Sequence, residues 1–327
     1  MRSRLWIGII ASVVVGTAAP TLAADMGIVT GGEKGTYYQF GLNLQRLVKP
    51  HGINLNVATS RGSVENVFAV YQRPNTQLGI VQSDVLAFVA RVETDPVLQR
   101  IAKKIRMVFP LYNEEVHILG RKDITDFDDL AGKRVAIGRE GSGTYLTARL
   151  MFKVAEIEPK QMVNIDTDEA LAELKAGRID AMFYVAGAPV KLFAESVSDA
   201  DNLAFLTVTN KNVAEFYPVV EIPANTYRWQ SKPLSTVAVK SVLVSFDFRR
   251  LDCDNVGRFA KILASSMGWL VDNGHPKWKS VKLDYPLKGW EQYDCVRKYV
   301  GTASVAPASP PPSANPVQDA IRKILRD

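Results

Sequence analysis

A two-lobed α/β protein is the fold that the sequence predicts, and three observations point to it. Short apolar runs recur along the chain, each followed by small polar residues and then by an amphipathic helical pattern. The 327 residues are 47% apolar and 23% charged, which suffices for two cores of roughly 100–150 residues each. Beyond residue 20 no apolar run reaches membrane length, and the composition disfavours a disulfide miniprotein, a coiled coil or a disordered chain.

The first unit is GIVTGG as a strand, then EKGT, then YYQFGLNLQRLV, in which Phe40, Leu44, Leu47 and Val48 fall at helical spacing. LNVAT precedes RGSVENVFAVYQR, where Ser63 is placed to cap and Val64, Val67, Phe68 and Tyr71 share one face. Leu78–Val81 is a buried strand, and Gln82, Ser83 and Asp84 lead into a helix running through Val92. Met107–Leu111 supplies a further strand, so residues 25–112 form a lobe with several parallel strands.

A second series begins with the strand Lys133–Ile137, the turn GREGSGT and the helix Tyr145–Val154. Ala170–Lys175 is a helix fragment ended by Gly177, and Asp180–Val185 is the next strand. Gly187 and Pro189 turn the chain into a helix over 189–197, and Leu203–Val208 and Val219–Ile222 add strands. The apolar stretch Ser235–Phe246 crosses between lobes, and residues 256–270 form a helix that covers the first lobe or braces the hinge. Crossings near 112 and 235 therefore assign 25–112 with 236–300 to lobe 1 and 113–235 to lobe 2.

The chain ends read differently. Residues 1–24 have a basic start, an apolar centre from Leu5 to Val15 and a small-residue end, the pattern of a cleaved export signal. The centre is short for a span of about 20 residues, and the simplest destination is a bacterial periplasm. Removing Arg2 and Arg4 with that segment lowers the formal charge from +6 to +4. So small an excess, without a basic helix or a basic–aromatic pattern, excludes nucleic-acid binding and suits a protein that attracts small anions. In an oxidising compartment Cys253 and Cys295 pair, and closing their loop contributes roughly 4 kcal/mol in the chain-entropy picture. His51, His117 and His275 are too scattered to join them in a metal site. Residues 301–327 read as a Pro-rich linker and a short amphipathic helix, either a frayed appendix or a docking segment.

The candidate chemistry lies in four turns. Gly31–Tyr38, Arg61–Asn66, Gln82–Asp84 and Gly141–Thr144 each follow a strand and open a helix. At strand ends of an α/β sheet, such turns aim free amides and hydroxyls at one crevice, and a small carboxylate fits that chemistry. Arg61 and Arg139 are the candidate cations, each alternatively an ordinary surface arginine. Of Tyr37 and Tyr38, one ring faces the cleft and one the helix core. Neither GGEKGT nor GREGSG has the spacing of a phosphate loop or a dinucleotide fingerprint, and Gly-x-Ser-x-Gly is absent. His117 lies in the apolar VHIL and His275 in a turn, and no linked base and nucleophile emerge. The reading is a binding protein without a cofactor, not an enzyme.

Six segments together resemble the TAXI family of extracytoplasmic solute receptors, which serve TRAP transporters. They are TGGEKGTYYQFG (30–41), RGSVENV (61–67), LGIVQSDV (78–85), RVAIGREGSGT (134–144), LKAGRIDAMFYVAGAP (174–189) and EIPANTY (221–227), in the family order. The resemblance spans about residues 26–295. It implies a type II-like periplasmic-binding-protein fold with a ligand cleft between lobes, a monomer, and capture of an acid such as glutamate, glutamine or 2-oxoglutarate for TRAP membrane subunits. It also implies ligand contacts at Gly35, Thr36, Tyr37, Ser63, Asn66, Gln82, Ser142, Gly143 and Thr144, with Gly187 and Ala188 on the opposing wall. Glu33 and Lys34 depart from the family's small residues in the opening loop. A binding module that reports to a periplasmic sensor is the alternative output of the same pocket.

Overall fold

The computed structural model describes residues 23–90, 96–287 and 289–301. The predicted export signal up to residue 22, and the predicted linker and helix from 302 onward, lie outside the described residues. Strands and helices alternate as β1 (Ala24–Val29), α1 (Thr36–Val48), β2 (Ile53–Ala58), α2 (Ser63–Gln72), β3 (Leu78–Gln82) and α3 (Ser83–Val89), followed by α4 (Pro96–Lys104). β4 (Ile105–Arg121) then runs 17 residues, far beyond the five expected from Met107–Leu111. The polar trio Asn113–Glu115 ends the apolar run but not the strand. Its backbone pairs with Lys240, Val239 and Ala238 on one side, and Glu115 pairs with Ala186 on the other.

The second series comprises β5 (Arg134–Ala136), α5 (Gly143–Ala155), β6 (Gln161–Val163), α6 (Thr167–Lys175), β7 (Ala181–Ala186), α7 (Lys191–Ser196), β8 (Leu203–Phe205), α8 (Lys211–Phe216) and β9 (Val219–Ile222). The chain returns through β10 (Leu234–Phe246) and closes with α9 (Leu251–Ser265), α10 (Met267–Asn273) and α11 (Asp294–Val300). Two expectations need correction. The helix expected over 189–197 starts only at Lys191, because its cap, Val190, is extended at φ −86° and ψ 126°, with its N–H held by the Tyr227 hydroxyl at 2.9 Å. The helix expected over 256–270 is broken at Ser266, whose φ of −119° leaves the helical region.

The strand order is β2-β1-β3-β10-β4-β7-β5-β6, with β8 on β4 and β9 on β10. β1 is parallel to β2 and β3 at one end, and β5 is parallel to β6 and β7 at the other. Between them β10 and β4 pair antiparallel, with register shifts between Lys240 and Val242 and between Leu243 and Val244. These two long strands are the hinge of a two-lobed α/β fold. Separate cores lie on either side. One packs Phe40, Leu44, Ile80 and Tyr112 against Val256, Phe259 and Trp278, with Trp278 stacked on Phe40 at 4.1 Å. Another gathers Val135, Met151, Phe152 and Phe183. Cys253 in α9 and Cys295 in α11 are disulfide-bonded with Cα atoms 5.4 Å apart, tying the two helices as the cysteine count predicted.

Candidate functional site

Three helices of ten or more residues begin at one gap between the lobes, and the sequence explains why each begins there. Gly32 and Gly35 close a turn (Gly35 N–H to Gly32 C=O, 2.8 Å) that delivers Thr36 as the first residue of α1. Gly62, at φ 120°, delivers Ser63 as the first residue of α2, with its own N–H held by Ser60 Oγ at 2.9 Å. Ser142 caps α5 by accepting from the Tyr145 N–H at 3.0 Å, so Gly143 and Thr144 open that helix. The starts of α1 and α2 belong to one lobe and that of α5 to the other. Between them lies a cavity of about 100 Å³.

The structure brings most of the predicted residues to this cavity. Gly35, Thr36, Tyr37, Arg61, Ser63, Gln82, Arg139, Ser142, Gly143 and Thr144 all line it. Asn66 does not. Its fully buried amide donates to the carbonyls of Thr30 and Ile80 and accepts from Ser60, fixing the strand ends behind the wall. Gly187 and Ala188 also stand outside the lining. The Gly187 carbonyl accepts from Thr36 Oγ1 at 2.7 Å, and the Ala188 N–H donates to Glu115 Oε2 at 2.9 Å. The opposing wall is formed instead by Tyr184, Val185 and Ala186, the last three residues of β7, immediately before Gly187.

The lobes are closed on each other. Besides Thr36 and Gly187, Lys34 pairs with Asp168 at the rim, the Glu65 N–H reaches the Gly141 carbonyl at 3.1 Å, and His275 Nε2 meets the Pro189 carbonyl at 3.2 Å. Lys34 thus acts as a clasp across the cleft. Asp84 makes a deeper link, accepting from Thr147 Oγ1 at 2.7 Å and from the Tyr217 hydroxyl at 3.3 Å, both from the other lobe.

Two buried carboxyls shape the electrostatics, and no ion pair among the described residues includes either. Burial pushes Asp84 up to about 6, against the hydrogen bonds from Thr147, Val85 and Tyr217. Burial likewise raises Glu114 well above the usual carboxylate range; the Tyr37 hydroxyl opposes that shift and the nearby charge of Asp84 adds to it. By contrast, Glu115 is neutralised by Lys277. Arg61 and Arg139 sit at the mouth, paired with Glu65 at 3.8 Å and Asp166 at 2.9 Å.

A pH dependence follows from Asp84. Its raised pKa means that the folded, closed protein holds this proton more tightly than the unfolded chain does. The contribution is fully present below about 3.8 and is lost as pH rises through about 6. Asp84→Asn therefore gains on the parent by roughly 3 kcal/mol between pH 4 and 7. Thermal denaturation of both proteins across that range checks it, and parallel curves would refute it.

Sequence reasoning missed Glu114, Tyr184, Ser60 and the Asp166–Thr167 start of α6, all of which line the cavity. Glu114 had a readable signal: an acidic residue between the apolar runs MVFPLY and VHILG must, once buried, find partners or give up its charge. His117, as expected, is structural. It is fully buried, its Nε2 accepts from Tyr227 at 2.8 Å, its Nδ1 donates to the Glu115 carbonyl at 3.0 Å, and burial lowers its pKa to about 3. A larger cavity of about 640 Å³ lies elsewhere, at residues that include Asn113, Lys240, Tyr285 and Trp290. The helix starts that line it, Ser83 of α3 and Asp294 of α11, both belong to seven-residue helices, so it lacks the convergence of long helix starts that distinguishes the cleft.

Comparison with solved structures gives the fold its relatives. MatC from Rhodopseudomonas palustris with bound malate superposes with a TM-score of 0.54 at 14% identity, covering 93% of this chain and 100% of that one. The periplasmic binding protein BugD gives 0.51 at 8% identity, over 80% and 86% of the two chains. A protein from Bordetella bronchiseptica RB50 gives 0.50 at 15% identity, over 81% and 78%. At these identities the likeness is one of fold, that of two-lobed periplasmic binding proteins. The sequence itself matches one family across most of its length, residues 28–289, and on that match the chain belongs to the NMT1-like family.

Proposed function

We propose that this protein is a periplasmic solute receptor of the TAXI type, which captures a small organic acid or amino acid and delivers it to a TRAP-type membrane permease. The observation that carries this reading is the convergence of three helix starts, with Thr36, Ser63, Ser142 and Thr144, on one cavity closed by cross-lobe hydrogen bonds. Free amides and hydroxyls there neutralise carboxylate oxygens without a mobile counter-ion. Neighbours of the same fold include a malate-bound protein and a periplasmic binding protein, which supports both the ligand class and the compartment. We read residues 25–112 with 236–300 as one lobe and 113–235 as the other, with export directed by residues 1–24. The ligand favours closure only by binding the closed form more tightly than the open one.

Mass spectrometry of ligand released from freshly purified protein, followed by calorimetry of the stripped protein against a panel of organic and amino acids, tests the reading. Saturable binding of an acid recovered unchanged is the expected result, and no binding across the panel would refute it. Within that assay Ser63→Ala and Ser142→Ala each weaken binding by about 10- to 100-fold, the equivalent of losing one charge-assisted hydrogen bond of roughly 1.5–3 kcal/mol. Ser142→Ala also loses a helix cap, about 1 kcal/mol of stability. Unchanged affinity in both variants would move the site elsewhere.

A further inference from the structure

We propose, resting on the receptor reading above, that Glu114 is a ligand-reading residue of the cleft: it meets the bound acid as a neutral carboxylic acid and donates its proton to a ligand oxygen, so that capture takes up one proton from solvent. Glu114 is 1% exposed and lines the cavity from the hinge strand β4, between the two lobes. A directed hydrogen-bond chain leads to it. The Gln82 N–H donates to Ser63 Oγ at 3.1 Å, Ser63 donates to the Tyr37 oxygen at 3.2 Å, and Tyr37 donates to Glu114 Oε1 at 2.6 Å. Every member of that chain is buried, and Tyr37, Ser63 and Gln82 line the same cavity.

Among the described residues no ion pair balances this carboxyl. Of the two lysines at the hinge, Lys277 is taken by Glu115, and Lys240, on β10 opposite Asn113, lies over the Tyr285 ring at 4.0 Å. Arg61 and Arg139 hold their own carboxylates at the mouth. The other titratable groups that face Glu114 are Asp84 from α3, Glu115 and Tyr112 from its own strand, Tyr37 from α1 and Tyr184 from β7, none of which carries positive charge. An ionised Glu114 would repel a carboxylate entering this cavity, whereas a protonated one supplies the donor that a carboxylate oxygen needs. In the open cleft water solvates the group and it ionises in the ordinary range. Closure over an acid then binds the missing proton. The converse arrangement, an ionised Glu114 holding a ligand ammonium, would exchange no proton near neutral pH and leave the affinity independent of pH.

The two arrangements separate in one experiment. Stripped protein is titrated calorimetrically with malate, 2-oxoglutarate and glutamate between pH 7 and 8, above the range in which Asp84 titrates, in phosphate and in Tris, whose ionisation heats differ. The expected result is uptake of close to one proton per bound acid, with affinity falling about tenfold per pH unit. Glu114→Gln is expected to bind several-fold more weakly at pH 7, to take up no proton and to show a flat pH profile, with a melting temperature that reports an intact fold. Binding without proton uptake in the parent, or equal uptake in parent and variant, overturns the assignment and leaves the receptor reading standing. Glutamate binding that does not vary with pH and collapses in Glu114→Gln overturns it in favour of an ammonium contact. No heat with any of the three acids, from a protein that also fails the wider panel, overturns the receptor reading and this assignment with it.

Discussion

Gly143→Val is expected to weaken ligand capture roughly 100-fold while leaving the unliganded protein folded. A Cβ at this position would lie 1.9 Å from Gln82 Oε1 and 2.8 Å from Ser63 Oγ. Both groups are buried and belong to the opposite lobe. The overlap therefore exists only when the lobes meet, and an open protein accommodates the valine at the solvent-facing start of α5. Forcing three extra carbon atoms, the Cβ and two methyl groups, into a packed contact costs about 3 kcal/mol, which falls entirely on the closed form and weakens binding roughly 100-fold. Calorimetry should record the loss, and thermal denaturation should show that ligand no longer raises the melting temperature. A variant that binds like its parent would mean that closure does not bring α5 against Gln82.

The second large effect concerns stability. Replacing both Cys253 and Cys295 with serine should destabilise the protein by roughly 4 kcal/mol, a fall of about 10 °C in melting temperature. The bridge spans a sequence separation of 42 and ties α11 to α9, whose buried residues complete the first core. Reduction of the parent protein should reproduce the variant's curve in a calorimetric scan. An unchanged melting temperature would reduce the bridge to an ornament on helices that already hold by packing.

How much of this was legible depended on whether a residue's role was local. The strand-turn-helix units could be read because each carries its own start and stop signals: Gly32 and Gly35 before α1, Gly62 and Ser63 before α2, Ser142 before α5. Those same signals placed most of the lining residues. What escaped was set by contacts distant in sequence. β4 continued through Asn113–Glu115 because β10, more than a hundred residues later, supplied its hydrogen bonds. Asn66 was expected at the ligand from the resemblance of its segment, and Ser63 nearby does line the cavity, yet the Asn66 amide serves Thr30 and Ile80. Arg61 and Arg139 line the cavity, but their charges are already matched by Glu65 and Asp166, pairings that no local pattern reveals.

The return of the chain through β10 has a consequence for how the molecule assembles. The core around β1, β2 and β4 unites Met26–Tyr112 with Leu243–Val296, whereas the cores of the other lobe draw only on residues between Val116 and Val239. A polypeptide threaded from its amino end therefore delivers first the segment that must wait longest. The middle of the chain can condense while the leading portion still lacks β10 and the helices that cover it. Until that late portion arrives, β3 has an unpaired edge where β10 belongs, so the leading segment is the part of the nascent chain most in need of a chaperone.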